Sequence, residues 1–173
     1  MGKNIYRKLA DHRILETKHL FLRPVTLDDA KDMYEYASDE EVTRYTFAKN
    51  ESLEETKNKI AAIYLTSPLG HYGIELKSSG KFIGTIDLFN LKEDMLVAEF
   101  GYCLNKAYWN KGLMTEAVNA FVALAFEELD LNCLIARYDS KNPASGRVME
   151  KAGMFFSHES LMLKKLGMIP IAL

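Results

Sequence analysis

The sequence predicts a mixed α/β (α+β) domain, and three observations carry that prediction. Apolar residues recur in the two-residue repeat of strands and the three-to-four-residue repeat of helices, in the order β-α-α-β-β-β-α-β-α-β. Residues 95–104, 115–129 and 132–138 form a strand–helix–strand unit, so its two strands should run parallel through a right-handed crossover. The 173 residues, 48% hydrophobic and 27% charged, suit one ordinary globular domain spanning 1–173.

Leu20 to Val25 reads as the first strand. Thr26 opens a helix with Asp29 three residues on, and Leu27, Ala30, Tyr34 and Ala37 make its apolar stripe. Residues 38–50 are polar and irregular. Ser52 and Glu55 form a better capping box for a helix through Ile60 and Tyr64, which Pro68 and Gly70 end. His71 to Leu76, Lys81 to Phe89 and Met95 to Leu104 follow as a meander with short connections, the first of them Ser78-Ser79-Gly80. Gly84 and Gly101 interrupt these strands and suggest a bulge or a close backbone approach. Thr115 to Leu129 is apolar nearly all round, as a helix packed on a sheet must be. Asn132 to Tyr138 is a strand. Pro143 to Ala152 is a helix with Asn142 at the N-cap, Pro143 at N1 and Gly153 just past its end. The tail suggests one strand around His158 to Leu163 and no element for Gly167 to Leu173.

Composition excludes several functions. With 22 basic against 24 acidic residues and no polybasic run, the chain lacks the basic face of a nonspecific nucleic-acid binder. No stretch reaches 18 apolar residues, and the first eleven do not resemble a signal peptide, so a cytoplasmic protein without a membrane span is expected. Cys103 and Cys133 are far apart, and His12, His19, His71 and His158 fit no zinc spacing, so no metal is expected.

Two stretches carry chemistry. In residues 101–117 a strand ends, a loop containing Gly112 follows, and a long helix starts. Successive amides there can bind an anion such as a pyrophosphate, or Gly112 simply lets the chain turn. There is no P-loop, no G-x-G-x-x-G and no G-x-S-x-G. In the second stretch, 142–155, Asn142 and Ser145 stand one turn apart at a helix start, as plain caps or as part of a site.

Together these stretches resemble the acyl-CoA-binding core of the GCN5-related N-acetyltransferases. More narrowly, the chain resembles the branch that acetylates ribosomal-protein N-termini at alanine or serine. The likeness rests on Leu20-Phe21-Leu22-Arg23-Pro24-Val25, Phe82-Ile83-Gly84, Glu99-Phe100-Gly101-Tyr102, Tyr108-Trp109-Asn110-Lys111-Gly112, Thr115-Glu116-Ala117 and the run from Asn142 through Ser145 to Met154. It covers about residues 15–163.

The resemblance implies a mostly antiparallel sheet that splays open between strands 95–104 and 132–138, with pantetheine in the splay beside the backbone of Tyr102, Cys103 and Leu104. The family's loop pattern, Gln/Arg-x-x-Gly-x-Gly/Ala, falls on Trp109, Asn110, Lys111, Gly112, Leu113 and Met114, with Thr115 opening the helix; only Gly112 meets it. Acetyl-CoA is the implied cosubstrate and an amine the acceptor. Glu99 is the candidate base or water organiser, with a strand-edge charge paired to a basic residue as the alternative. Family members often carry a tyrosine where this chain has Phe155 and Phe156, which moves the proton donor for the departing thiol to Ser145. Asn142 would hold the pantetheine amide. Cys103 reads as a small buried hydrophobe and not as an acyl carrier. His71 and His158 read as local structure.

Arg23, Tyr34, Arg44 and Tyr45 are the implied acceptor contacts, with core packing equally open for Tyr34. The implied acceptor is a protein N-terminus, such as that of a ribosomal protein. A polyamine, amino sugar or antibiotic is the alternative within the enzyme class, and a non-catalytic CoA-binding module is the alternative outside it. A monomer or a homodimer both fit.

Overall fold

One eight-stranded sheet organises the chain, in the order β1-β2-β3-β4-β5-β6-β8-β7. The computed structural model describes residues 4–160 and 165–169. Its strands are β1 (Leu15–Glu16), β2 (Leu20–Arg23), β3 (His71–Leu76), β4 (Phe82–Lys92), β5 (Val97–Leu104), β6 (Cys133–Asp139), β7 (Phe155–Ser160) and β8 (Lys165–Ile169). All neighbours are antiparallel except β5 and β6, which run parallel, as the strand–helix–strand pattern requires. The helices are α1 (Ile5–Asp11), α2 (Ala30–Ala37), α3 (Glu40–Thr43), α4 (Leu53–Lys59), α5 (Leu113–Ala123) and α6 (Pro143–Lys151). Wider turns extend α4 to Leu65 and α5 to Glu128.

Strand alternation divides the core. Ile86, Leu88, Phe100 and Leu104 pack with α1 and α5 on one face, where the Phe100 and Phe121 rings stack with centroids 5.4 Å apart. Phe82 and Cys103 face the other side and pack with Tyr36 of α2 and Ile60 beyond α4. The second face also carries Asp87 and Glu99, whereas Tyr102 packs on the first.

Several elements differ from the sequence reading. β2 stops at Arg23 because Pro24 has no N–H to donate. The segment after Thr26 begins with a three-residue 3-10 turn, Leu27–Asp29, before α2. Three residues per turn in place of 3.6 rotate the stripe, so Ala30, Met33, Tyr36 and Ala37 are buried while Leu27 is 49% exposed. Residues 38–50 contain α3, with Asp39 accepting from the Glu41 amide at its N-cap. α1 and β1 went unread. β5 begins at Val97 and not at Met95, and α5 begins at Leu113, two residues early, because Gly112 is its left-handed N-cap. In the tail, β8 lies between β6 and β7. The single strand expected at 158–163 is replaced by β7 up to Ser160, and 161–163 lie outside the described residues.

Candidate functional site

The parallel pairing of β5 with β6 covers only four residues, Val97 opposite Cys133 through Phe100 opposite Ala136. Beyond it β5 continues to Leu104 against β4 alone, and β6 continues to Asp139 against β8. The strands part at Gly101. A cleft of about 400 Å³ opens there, lined by Glu99 to Cys103 of β5, Arg137 to Asp139 of β6, Asn142, Ser145 and Met149 of α6, Thr85, Asp87 and Phe89 of β4, and Tyr45, Thr46, Phe47 and Tyr64.

Ser145 is held over the split by the close approach of α6 to β6. A Cβ at Gly146 would lie 2.6 Å from the Tyr138 ring, so only glycine lets the helix sit this low. Ser145 Oγ donates to the Tyr102 hydroxyl at 3.1 Å, and that hydroxyl donates to the Ser145 carbonyl at 2.7 Å. Burial pushes the Tyr102 phenol well above its ordinary value, so it remains protonated. A tyrosine hydroxyl is therefore in the cleft although Phe155 and Phe156 supply none; it comes from β5. Asn142 occupies the N-cap position of α6, yet its side chain makes no capping bond there. Plain capping does not account for it.

Glu99 lines the cleft, and its Oε2 lies 2.7 Å from Arg137 Nη1 on β6. The ion pair ties the two splayed strands just at their last paired residues. Cys103 is buried, and burial pushes its thiol up to about 12, which leaves it unionised and a poor nucleophile.

In the loop before α5, Asn110 and Gly112 both have left-handed backbone, φ 59° and 77°. Asparagine tolerates that conformation better than most other non-glycine residues, which suits Asn110 to a position where the resembled branch often has glycine. Gly112 caps α5 with no side-chain bond, so the first amides of the helix are not taken by a capping side chain. Met114 turns inward and is buried, so its bulk lies under the loop. Trp109 donates its indole N–H to the Leu104 carbonyl at 2.8 Å, fastening the loop to the end of β5. Lys111 lies over the Tyr108 ring, 5.2 Å from its centroid.

The expected acceptor contacts are only partly brought together. Tyr45 lines the cleft; Arg23, Tyr34 and Arg44 do not. Arg23 is spent on structure: its guanidinium donates to both Asp29 oxygens at 2.9 and 2.8 Å and to Glu75 at 2.5 Å, joining β2 to the start of α2 and to β3. The Tyr34 hydroxyl reaches the Glu51 carbonyl at 3.4 Å on the outer side of α2. Arg44 is exposed at the end of α3.

Sequence reasoning missed Asp87. It lies on the cleft side of β4 with His71 Nδ1 3.0 Å from its Oδ1 and the Tyr64 hydroxyl 3.5 Å from its Oδ2. Burial pushes its carboxyl above the ordinary range, against the opposing effect of the His71 hydrogen bond. The available signal was a lone acid within the apolar run Phe82 to Phe89, sharing alternation with Thr85. Among the described residues, no group of three or more His, Cys, Asp or Glu is placed to hold a metal ion.

The profile of the acetyltransferase (GNAT) domain matches residues 19–155. The Bacillus subtilis protein named "Uncharacterized N-acetyltransferase YoaA" is 35% identical over 144 residues, which is 81% of each chain. An acetyltransferase of the GNAT family from Bacillus anthracis superposes with a TM-score of 0.77 at 24% identity, covering 90% of this chain and 94% of that one. The ribosomal-protein-S5-alanine acetyltransferase of Vibrio fischeri gives 0.74 at 20% identity, over 92% and 96%. These two structures show the fold.

Proposed function

The chain belongs to the acetyltransferase (GNAT) family, and from that premise we propose that it moves an acetyl group from acetyl-CoA to a primary amine, the N-terminal α-amine of a protein such as a ribosomal protein. The observation that carries this reading is the open edge of β5 beyond Phe100. Strand backbone at Gly101 to Leu104, paired on the β4 side alone, can take an extended amide chain on its other side as it would take another strand. Pantetheine fits that description, and Asn142 stands across the split to meet it. The Leu104 carbonyl is engaged by Trp109 and the Cys103 carbonyl lies against Gly84 of β4, so Tyr102 supplies most of that edge. The amides of residues 110–115 suit the pyrophosphate.

Acetyl-CoA brings an activated thioester carbonyl; the chain's own residues do the rest. Ser145, with its hydroxyl on Tyr102, is the donor toward the departing sulfur. Glu99, ion-paired to Arg137, orders water at the split. Alignment of two bound reactants by a rigid split sheet supplies much of the rate.

The N-terminal acceptor is supported by the branch resemblance and by the name of the Vibrio fischeri protein. One observation favours a small amine such as a polyamine: among the described residues the cleft carries Asp87, Glu99 and Asp139 against one cation, Arg137, in about 400 Å³. Release of free CoA thiol across a panel of ribosomal-protein N-terminal peptides and small amines tests both, with intact-mass measurement of the acetylated product. Faster turnover of peptides is expected. Rapid turnover of a small amine alone would reverse the acceptor assignment. Acetyl-CoA binding without thiol release from any amine would leave a non-catalytic CoA-binding module.

A further inference from the structure

We infer that Asp87, backed by His71, is the acceptor-amine site: its carboxylate binds the ammonium form of the incoming amine and takes the proton that must leave before nitrogen can attack. The inference rests on the acetyltransferase reading and names the residue that selects and activates its acceptor.

Position comes first. Asp87 is in register with Gly101, the first β5 residue past the last pair with β6. Directly opposed residues share a sheet face. Gly101 has no side chain and the Phe89 ring lies over its position, so Asp87 stands beside that ring at the point where the sheet opens. The Asp87 side chain is 22% exposed and that of His71, behind it on β3, is 17%. With Asp87 ionised, His71 donates its Nδ1–H to Oδ1. Oδ2 accepts a long hydrogen bond from Tyr64, Thr85 adds a further side-chain hydrogen bond to the carboxyl, and a carboxylate can accept several donors.

Charge comes second. The other cleft carboxylate at the split, Glu99, already has Arg137. The groups that face Asp87 are uncharged or conditionally charged. They are Tyr36 from α2, Tyr64 from the extension of α4, His71 from β3, Thr85 from β4 and Cys103 from β5. Burial holds both phenols and the thiol protonated. A carboxylate in such surroundings is costly unless a cation joins it. A primary ammonium supplies that cation, and the rings of Tyr45, Phe47, Tyr64 and Phe89 along the cleft suit it further. A free amino acid would bring its own carboxylate among Asp87, Glu99 and Asp139. The site therefore selects amines without an adjacent carboxylate.

The proton balance closes. The ammonium passes one proton to Asp87. The freed nitrogen lone pair forms the N–C bond to the acetyl carbon as the C–S bond breaks. The second N–H proton ends on the sulfur through Ser145 or solvent. Asp87 then returns its proton to water past His71. The sum is an amide, a thiol and one released proton.

The test uses the intact protein with alanine amide, free alanine and putrescine as probes. Isothermal titration of the amines without acetyl-CoA is one readout; kcat and KM against pH are the other. Asp87→Asn is expected to weaken binding of alanine amide and putrescine about tenfold or more. It should lower kcat/KM roughly 100-fold at pH 7, with the loss shrinking as pH passes the amine's own pKa, about 7.7–8.0 for an α-amine. Acetyl-CoA affinity should stay within about twofold of wild type, which also reports a folded variant, and Asp87→Ser serves if the first fails to fold. His71→Gln, a positioning change, should shift the pH profile while amine affinity changes little. Wild type should prefer alanine amide to alanine. Wild-type amine binding and rates in Asp87→Asn, or the same pH-dependent loss in Glu99→Gln alone, would overturn the inference and leave the acetyltransferase reading intact. Wild-type protein that releases no thiol with any amine would overturn both.

Discussion

Replacing Gly112 by valine separates the two properties of the loop before α5. Gly112 has φ 77°, and a Cβ built there meets no other heavy atom within 4 Å. The substitution therefore causes no clash; its cost is torsional. A left-handed L-residue costs about 1–2 kcal/mol, with a branched side chain at the upper end. For a domain of this size, that corresponds to a fall in Tm of roughly 2–8 °C, at about 2–4 °C per kcal/mol. The chain can relieve the strain by rotating residue 112 toward negative φ, but that turns the amides at the start of α5 away from their common focus. Loss of one charge-assisted hydrogen bond to phosphate is worth about 1.5–3 kcal/mol. Acetyl-CoA affinity should thus fall roughly 10-fold to 100-fold while the fold survives. Isothermal titration with acetyl-CoA beside a thermal melt measures both. A melting loss in this range with unchanged affinity would show that the loop does not cradle phosphate, and the pyrophosphate assignment would be abandoned.

Three other outcomes are expected. Ser145→Ala and Tyr102→Phe should each lower kcat about 10-fold to 100-fold with little change in acetyl-CoA Kd, and the double variant should lose little more, since the two hydroxyls act as one pair; independent, multiplying losses in steady-state assays would count against a shared role. Asp87→Asn should melt higher than wild type at pH 7. Because burial raises the folded-state pKa of Asp87 above its unfolded value, its ionisation lowers stability as pH rises through that interval, so the gain should vanish in melts below the usual carboxylate range. Gly84→Ala should destabilise by about 1–3 kcal/mol in urea denaturation, because its Cβ would run into the Cys103 carbonyl oxygen at the centre of the sheet; an unchanged midpoint would mean that β4 and β5 can move apart there.

Much of the frame was legible in residue order. The strand–helix–strand unit, the α6 boundaries at Pro143 and Gly153, and the meander of β3, β4 and β5 follow from local signals, because a cap, a turn or a periodic stripe is complete within a dozen residues. The two-residue repeat also places Thr85, Asp87 and Phe89 on one face of β4. It does not say which face of the sheet holds a cleft, since that depends on where β6, far along the chain, stops pairing with β5. Arg23 and Glu99 show the same limit. Each is a charge on a strand, yet Arg23 is consumed by Asp29 and Glu75 while Glu99 meets Arg137 at the split, and those partners lie 6, 52 and 38 positions away.

The sequence by itself determined the order of the main elements from β2 to α6, α3 aside, the parallel crossover and the glycine loop ahead of α5, because short-range sterics and hydrogen bonding act within each segment. Only the tertiary structure decided that Tyr102 meets Ser145, that β8 enters between β6 and β7, and that Asp87 and His71 meet at the opening of the sheet. Those contacts depend on strand register and helix seating between distant segments, where a shift of one residue would turn each side chain to the opposite face.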